Sequence, residues 1–153
     1  MEAELRPTTA KIFTNVLEHL AFMFVETPDE TEMPGSSPPY VEAQITFSGP
    51  FSGRLCLAAP QEMCPEIAAN VLGLEPDDEF VRERPGDSLK ELLNVTCGNL
   101  LPALAGEAPV FDLTVPELRE INEVEWQSIL NAPEAQQFIV DDYPVVIRCF
   151  IDK

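Results

Sequence analysis

Residues 87–99 carry two stripes of opposite character, which a helix would place on opposite faces. The segment reads Asp-Ser-Leu-Lys-Glu-Leu-Leu-Asn-Val-Thr-Cys-Gly-Asn. At about 100° per residue, Asp87, Glu91, Asn94 and Gly98 fall on one face of the predicted helix. The other face is mainly leucine and carries Leu89, Leu92, Leu93, Thr96 and Leu100. We expect the leucine face to be buried against a sheet, which leaves the carboxylate and the carboxamide pointing outward over a small glycine.

Length, composition and charge restrict the class of protein. The chain has 153 residues, 45% hydrophobic and 24% charged, which predicts one globular domain over residues 1–153. Its 27 acidic residues outweigh 9 lysines and arginines, for a formal net charge of −18. This charge disfavours nucleic acid and anionic membrane surfaces as partners, because both carry negative phosphates. Apolar runs all fall well short of the roughly 20 residues that cross a bilayer.

Cysteine and histidine usage predicts neither a zinc cluster nor disulfides. Cys56, Cys64, Cys97 and Cys149 are scattered without a CxxC pair, and His19 is the single histidine. We therefore expect no metal site, and free thiols buried in the core of a cytoplasmic protein. The first residues also lack the basic region and apolar core of a secretory signal.

Hydrophobic periodicity predicts an α+β protein in which the first two strands form an antiparallel hairpin. Glycines at 49 and 53 bound the turn of one hairpin, and the order of elements suggests a duplicated α+β unit. Residues 126–134 are left open between helix and loop. We predict helices over 8–25, 60–72, 76–84 and from 87 past 100, and strands over 41–47, 54–58, 110–115, 118–124, 137–141 and 145–150.

Spacing alone leaves several roles open on the helix that starts near residue 87. Asp87 or Ser88 is its expected N-cap, and Ser88 with Glu91 fits a capping box, in which Glu91 would return to the cap amide. Asn94 could be an ordinary solvated residue. Gly98 either permits close packing within the chain or leaves clearance for a partner. Asn99 is expected near the buried side, bonded to the backbone.

The chain as a whole resembles the CheX-like members of the CheC/CheX/FliY family of bacterial chemotaxis phosphatases. The residues that carry the resemblance are Asp87, Glu91, Asn94, Gly98 and Asn99, which match a helix pattern of an acid, then ExxN, then Gly-Asn. A proline about twenty residues beyond that pattern is matched by Pro116, and the hairpin glycines also fit. The resemblance implies the α+β fold of that family, a duplicated α/β unit with a mainly antiparallel sheet packed with helices, one of them a long motif helix.

The resemblance also implies a reaction, the dephosphorylation of a phosphorylated response regulator such as CheY. A neutral carboxamide can accept a hydrogen bond from the attacking water and donate one to a phosphoryl oxygen without adding negative charge. That role falls to Asn94, by analogy with the water-positioning glutamine of GTPases. Glu91 would pair with the regulator's active-site lysine. Both are the expected catalytic residues, and Asp87 and Gly98 are expected at the partner interface.

The family likeness carries further expectations about cofactors and assembly. The protein should need no cofactor of its own, because Mg²⁺ belongs to the phosphorylated partner. One active centre is expected, since Glu18 on the first helix is followed at the third position by Ala21, and Asn15 precedes it. The CheX-like branch implies a homodimer.

Two other functions fit the same sequence. The protein could be a non-enzymatic adaptor that binds a receiver or flagellar-switch component and merely retains the motif. It could also be a sensor or oligomerisation domain, although convergent polar residues that would define a ligand pocket are not evident. Receiver dephosphorylation distinguishes the phosphatase from both alternatives.

Overall fold

Helices and strands alternate along the chain in the computed structural model, which describes residues 2–28, 33–75 and 77–152. The helices in this part are α1 Glu2–His19, α2 Cys64–Leu72, α3 Glu79–Glu83, α4 Asp87–Ala105 and α5 Glu123–Leu130, and one turn of 3₁₀-helix spans Gln61–Met63. The strands are β1 Val25–Glu26, β2 Tyr40–Ser48, β3 Gly53–Pro60, β4 Asp112–Leu113, β5 Glu117–Ile121, β6 Ala135–Val140 and β7 Tyr143–Ile151.

The sheet confirms the predicted duplicated α+β architecture. Its strand order is β1-β6-β7-β3-β2, and both β4 and β5 pair with the outer edge of β2. Every pairing among the described strands is antiparallel. Each half of the chain contributes a helix and three strands, α1-β1-β2-β3 in the first half and α4-β5-β6-β7 in the second. If each strand is replaced by its counterpart in the other half, the strand order of the sheet is unchanged when it is read from the other edge. The two halves of the chain therefore meet at the central pair of β3 and β7.

The two faces of the sheet are covered by different helices. Alternate residues of β2, among them Ala43 and Ile45, point into a core shared with α1, α2 and α4. The intervening Tyr40 points to the other face, where its ring stacks on Trp126 of α5 at 4.4 Å between centroids. Position 53, at the hairpin turn, requires glycine because the backbone of β7 lies close to it, and a side chain there would collide with the carbonyl oxygen of Phe150.

The leucine face of α4 is buried as predicted. The helix lies on β2 and β3 and packs along α1 and α2. Its buried apolar side chains are 0–2% exposed, and Thr96 is fully buried with them, its hydroxyl donating to the carbonyl of Leu92 at 2.7 Å. Pro102 lies inside the helix, which continues to Ala105. Burying this face fixes the direction in which the opposite stripe points.

The first helix differs from the prediction at both ends. It begins at Glu2 and ends at His19, whereas the periodicity predicted residues 8–25. The chain leaves the helix at Phe22, whose φ of 53° is left-handed, and the Met23 amide donates to the carbonyl of Leu17 instead of continuing the helical pattern. Phe24 was expected on the apolar face, but it is 68% exposed because the helical phase is lost before it.

Several boundaries in the second half also differ. The strand predicted over 110–115 is reduced to Asp112–Leu113, and the one over 118–124 ends at Ile121. Asn122 ends the latter because its side-chain oxygen accepts from the Glu125 amide at 2.8 Å and caps α5. The open segment 126–134 is therefore helical as far as Leu130.

A buried carboxylate holds the edge strand β5 in place. Glu42 of β2 is 3% exposed and accepts from Arg119 of β5 at 2.9 Å and from Arg148 of β7 at 2.6 Å. Arg119 also pairs with Glu125 at 2.7 Å. Because a buried charge needs compensating partners, this cluster specifies the register of the three strands.

The four cysteines are free and buried, as predicted. Burial raises the pKa of the Cys64 and Cys97 thiols to about 12, and burial is also the main cause of the value of about 12 at Cys149. Burial likewise raises the pKa of Cys56. Since the thiolate is the nucleophile, these side chains are unreactive at neutral pH.

The packing of α4 predicts which leucines hold the fold. Replacing Leu92, which is 1% exposed, with alanine should lower the free energy of unfolding by about 2–5 kcal/mol, because a cavity is left under the helix. Leu72→Ala, at a site 49% exposed, should cost no more than about 1 kcal/mol. Urea unfolding followed by circular dichroism measures both. Equal losses in the two variants would contradict this account of the core.

Candidate functional site

The start of α4 is built differently from either predicted cap. The N-cap is Gly86, which makes no side-chain cap hydrogen bond, and Asp87 is already the first helical residue. A Cβ at position 86 would meet the Cδ2 methyl of Leu118, so a side chain there requires this partly exposed leucine to move aside. Asp87 instead pairs with Arg84 at 3.7 Å and Lys90 at 3.4 Å, in the first turn, where a carboxylate is favoured by the helix dipole. The expectation that Asp87 or Ser88 caps the helix is therefore wrong.

The capping-box alternative for Glu91 is excluded by the position of Ser88. A capping box needs the serine at the N-cap, with its hydroxyl accepting from the amide three residues on. Ser88 is buried one residue inside the helix, where its hydroxyl lies 3.2 Å from the carbonyl of Cys64 and 3.3 Å from that of Pro85. The Ser88 hydroxyl thus links α4 to the start of α2, and Glu91 has no serine at the N-cap with which to form a capping box.

Glu91 and Asn94 lie one turn apart on the exposed stripe of α4. Within the described part of the chain, the side-chain hydrogen bonds of this helix are made by Ser88, Thr96 and Asn99, and its ion pairs by Asp87 and Lys90. The carboxylate and the carboxamide thus keep their hydrogen-bonding capacity for a group that arrives from outside. The sequence-based prediction of an outward polar stripe agrees with this placement.

Gly98 continues the exposed stripe one turn beyond Asn94. A Cβ built on it meets no heavy atom within 4 Å, so no neighbour in the chain requires a glycine here. Glycine within a helix costs about 1 kcal/mol relative to alanine. Of the two roles left open by the sequence, close packing within the chain is therefore excluded, and clearance for a partner remains.

Asn99 lies beside this stripe and is exposed, not near the buried side as expected. Its side-chain nitrogen donates to the carbonyl of Val95 at 2.8 Å, which confirms the expected bond to the backbone. Its amide is therefore already engaged by its own helix, whereas that of Asn94 is not.

Glu91 and Asn94 form one wall of an open cleft of about 760 Å³. The opposite wall is the segment 113–116, which follows the short connection 106–111 after α4. Only Pro116 of this segment was singled out from the sequence, as a family marker, and the family spacing was the one signal that pointed there. The cleft is lined by Arg84, Asp87, Lys90, Glu91, Asn94, Leu113, Thr114, Val115 and Pro116.

The segment 113–116 is held firmly against the sheet. The Thr114 amide donates to the carbonyl of Thr46 at 3.0 Å, and the Thr46 amide donates to the hydroxyl oxygen of Thr114 at 3.0 Å. Just before the segment, the ring of Phe111 packs on Phe47 and Phe51, at 6.3 and 5.0 Å between centroids. The second wall of the cleft therefore has a fixed position relative to α4.

The cleft is locally balanced in charge although the chain is strongly acidic. Two of the 9 basic residues, Arg84 and Lys90, face two acids, Asp87 and Glu91. Arg84 and Lys90 could not be singled out from the sequence, because isolated basic residues give no distinctive pattern. An anionic group that approaches this point meets less repulsion than the average charge of the chain would exert.

A second groove lies on the other side of α4, between it and α1. It measures about 480 Å³ and includes Asn15, His19 and Asn99. The Nδ1 atom of His19 lies 2.9 Å from the carbonyl oxygen of Asn15, one turn earlier in α1. The exposed stripe of α4 is therefore a ridge with a concave surface on each side.

The described residues show neither a metal-binding cluster nor a membrane-spanning helix. Across residues 2–28, 33–75 and 77–152, no group of three or more His, Cys, Asp or Glu side chains is arranged to hold a metal ion. In the same residues, no helix combines the length and apolar character that crossing a membrane requires.

Comparisons with known proteins place this geometry in a family. The family model described as chemotaxis phosphatase CheX matches residues 41–139, which include both walls of the cleft. No curated protein matches the sequence closely enough to count as a relative. The fold is similar to several solved structures, all with low sequence identity.

Three of these structures span the family. CheX from Vibrio vulnificus is 19% identical, with a TM-score of 0.70 and 99% of each chain covered. CheX in a CheX–CheY–BeF3–Mg²⁺ complex from Borrelia burgdorferi is 18% identical, with a TM-score of 0.65, 97% of this chain covered and 98% of the other. FliY from Thermotoga maritima is 15% identical, with a TM-score of 0.54 and coverages of 92% and 84%.

The resemblance first drawn from Glu91, Asn94 and Gly98 is thus confirmed by a family model that covers most of the chain and by structures with the same fold. This chain belongs to the CheX family.

Proposed function

We propose that this protein hydrolyses the aspartyl phosphate of a CheY-like response regulator, in chemotaxis or another two-component pathway. The observation that carries the proposal is the pair of Glu91 and Asn94, exposed on α4 with side chains that make no hydrogen bond to the described part of the chain. The family membership supports a chemotaxis phosphatase. The Borrelia relative, solved together with CheY, BeF3 and Mg²⁺, supports a receiver domain as partner.

Asn94 orients the water that attacks phosphorus. Its side-chain oxygen accepts a hydrogen bond from this water, and its nitrogen donates to a phosphoryl oxygen. The water oxygen forms a bond to phosphorus as the bond to the aspartate oxygen breaks, which yields inorganic phosphate and a free carboxylate. The partner supplies Mg²⁺, which neutralises charge on the phosphoryl oxygens. Because the carboxylate is a good leaving group, positioning is the contribution required of Asn94.

Glu91 fixes the register of the complex by pairing with the active-site lysine of the receiver. An exposed carboxylate with no partner on its own helix loses little when it forms this ion pair, and burial in the interface strengthens it. Asp87 contributes from the first turn, where it holds Arg84 and Lys90 at the rim of the cleft. Gly98 leaves space for the receiver to approach α4 closely.

The cellular setting is part of the same proposal. Response regulators act in the cytoplasm, and four free, buried thiols fit a reducing compartment. A homodimer is the assembly proposed from the CheX-like branch, with one active centre in each chain. Light scattering of the purified protein would test the assembly directly.

Substitution of Asn94 should separate the chemical step from receiver binding. Asn94→Ala should lower phosphate release from a phosphorylated receiver by about 100-fold or more, because the attacking water loses its orientation. Binding of the receiver activated with BeF3 and Mg²⁺ should change little. Phosphate release is followed with a coupled assay, using phosphorylated receivers from the same genome, and binding by titration calorimetry.

Asn99→Ala is the matched control. Asn99 is an exposed asparagine on the same helix, but its side-chain amide already donates a hydrogen bond to the carbonyl of Val95. It should keep the wild-type rate within about threefold. If the wild-type protein fails to accelerate dephosphorylation of any receiver but still binds one, the adaptor function replaces the phosphatase.

The second prediction concerns Glu91. Glu91→Gln should raise the KM for the phosphorylated receiver by about tenfold or more, since the interfacial ion pair is lost. Glu18→Gln, at an exposed position on α1, should leave KM unchanged. Initial rates over a range of receiver concentration decide this. An equal effect of the two substitutions would show that total charge, and not the position of Glu91, controls affinity.

The third prediction uses the empty space at Gly98. Gly98→Ala should raise the free energy of unfolding by about 0.5–1 kcal/mol, because alanine favours the helix and meets no neighbour. The same substitution should weaken receiver binding, because the methyl group occupies the clearance. Urea unfolding and calorimetric titration measure the two effects. A stabilised variant that binds the receiver as well as the wild type would remove the clearance role.

A further inference from the structure

The segment 113–116 presents apolar side chains beside the reactive stripe. Val115 is 83% exposed and Leu113 is 37% exposed, and both line the cleft together with Asn94 and Glu91. Exposing a valine to this extent in a firmly held segment gains nothing for folding, because the hydrophobic effect favours its burial. Together, Leu113 and Val115 give the cleft an apolar surface next to its polar reactive groups, which a partner bound at Asn94 would bury.

We infer that Leu113 and Val115 form a docking surface for the receiver, which sets how tightly and how selectively the partner binds. This inference rests on the proposed function and adds to it a second contact, distinct from the ion pair of Glu91. The occupant is the apolar surface of the receiver next to its phosphorylated aspartate. A receiver whose phosphoryl group lies at Asn94 must also face the opposite wall of the same cleft.

Charge at the cleft fits the same occupant. The chain carries a net charge of −18, which repels a phosphorylated, acidic partner over most of the surface. Arg84 and Lys90 are brought to the rim of the cleft by Asp87, at 3.7 and 3.4 Å. The approach of the phosphorylated receiver is therefore less unfavourable at this charge-balanced cleft, where the apolar wall lies, than over a surface of the chain's average charge.

The wall is preorganised, so docking needs little ordering of the chain. Thr114 sits between Leu113 and Val115, and its amide and hydroxyl both bond to Thr46 of β2. Because this exchange fixes the backbone on each side of Thr114, the two apolar neighbours keep their positions relative to α4. A preorganised surface binds more tightly than a loop that must first be ordered.

We predict that Val115 controls the affinity for the receiver and not the rate of the chemical step. Val115→Ser should raise both the KM for the phosphorylated receiver and the Kd for the BeF3-activated receiver by about tenfold, because apolar burial in the complex is lost. The kcat at saturating receiver should stay within about twofold of wild type, since Asn94 is untouched. Val115→Leu, which keeps an apolar side chain, should restore binding.

Val124→Ser is the matched control. Val124 is 78% exposed, comparable to Val115, but it lies on α5, which packs on the opposite face of the sheet. It should leave KM and Kd unchanged. Circular dichroism and thermal unfolding of each variant show that the fold is retained.

The outcomes separate this inference from the proposed function. Phosphatase activity that survives Val115→Ser with unchanged KM and Kd would overturn the docking surface and leave the phosphatase intact. A change in oligomeric state without a change in receiver affinity would overturn it too, because the wall would then serve self-association. If binding falls in Val115→Ser while no receiver is ever dephosphorylated, the docking surface stands and the enzymatic proposal fails.

Discussion

The burial of one stripe of α4 is the constraint on which the rest of the structure depends. Leu89, Leu92, Leu93 and Leu100 leave this helix a single orientation on the sheet. The rotation of a helix about its axis fixes both faces at once, so the polar stripe is aimed by contacts that lie beneath it. Precise placement of a carboxamide therefore comes from apolar packing, which needs no polar scaffold around the site.

The cleft depends on the edge of the sheet as well as on α4, because its second wall is held by β2. The connection after α4 returns to the outer edge of β2, where β4 and β5 pair with its two ends. Glu42 and Arg119 hold the second of these strands, while Thr46 and Thr114 hold the segment just before it. Sheet pairing thereby brings residues 113–116 opposite Glu91 and Asn94, although they are far apart in sequence.

The sequence predicted the parts of the fold that follow from periodicity. The two faces of α4, the hairpin of β2 and β3 and the antiparallel sheet are as expected. Errors fell where tertiary contacts override local signals. Gly86, which packs against Leu118, stands at the N-cap of α4 in place of Asp87 or Ser88, and after α1 ends at His19 the chain turns at left-handed Phe22 without a glycine or proline. The outward stripe was predictable, but the cleft was not, since its second wall depends on strand pairing that one sequence does not reveal.

The buried thiols have a practical consequence for studying this molecule. With pKa values near 12 at Cys64, Cys97 and Cys149, and full burial of Cys56, the native cysteines should be silent toward maleimide reagents while the fold is intact. A single cysteine introduced on the surface would then accept a fluorophore at one defined place. The protein is thus suited to site-specific labelling without removal of any of its own sulfur atoms.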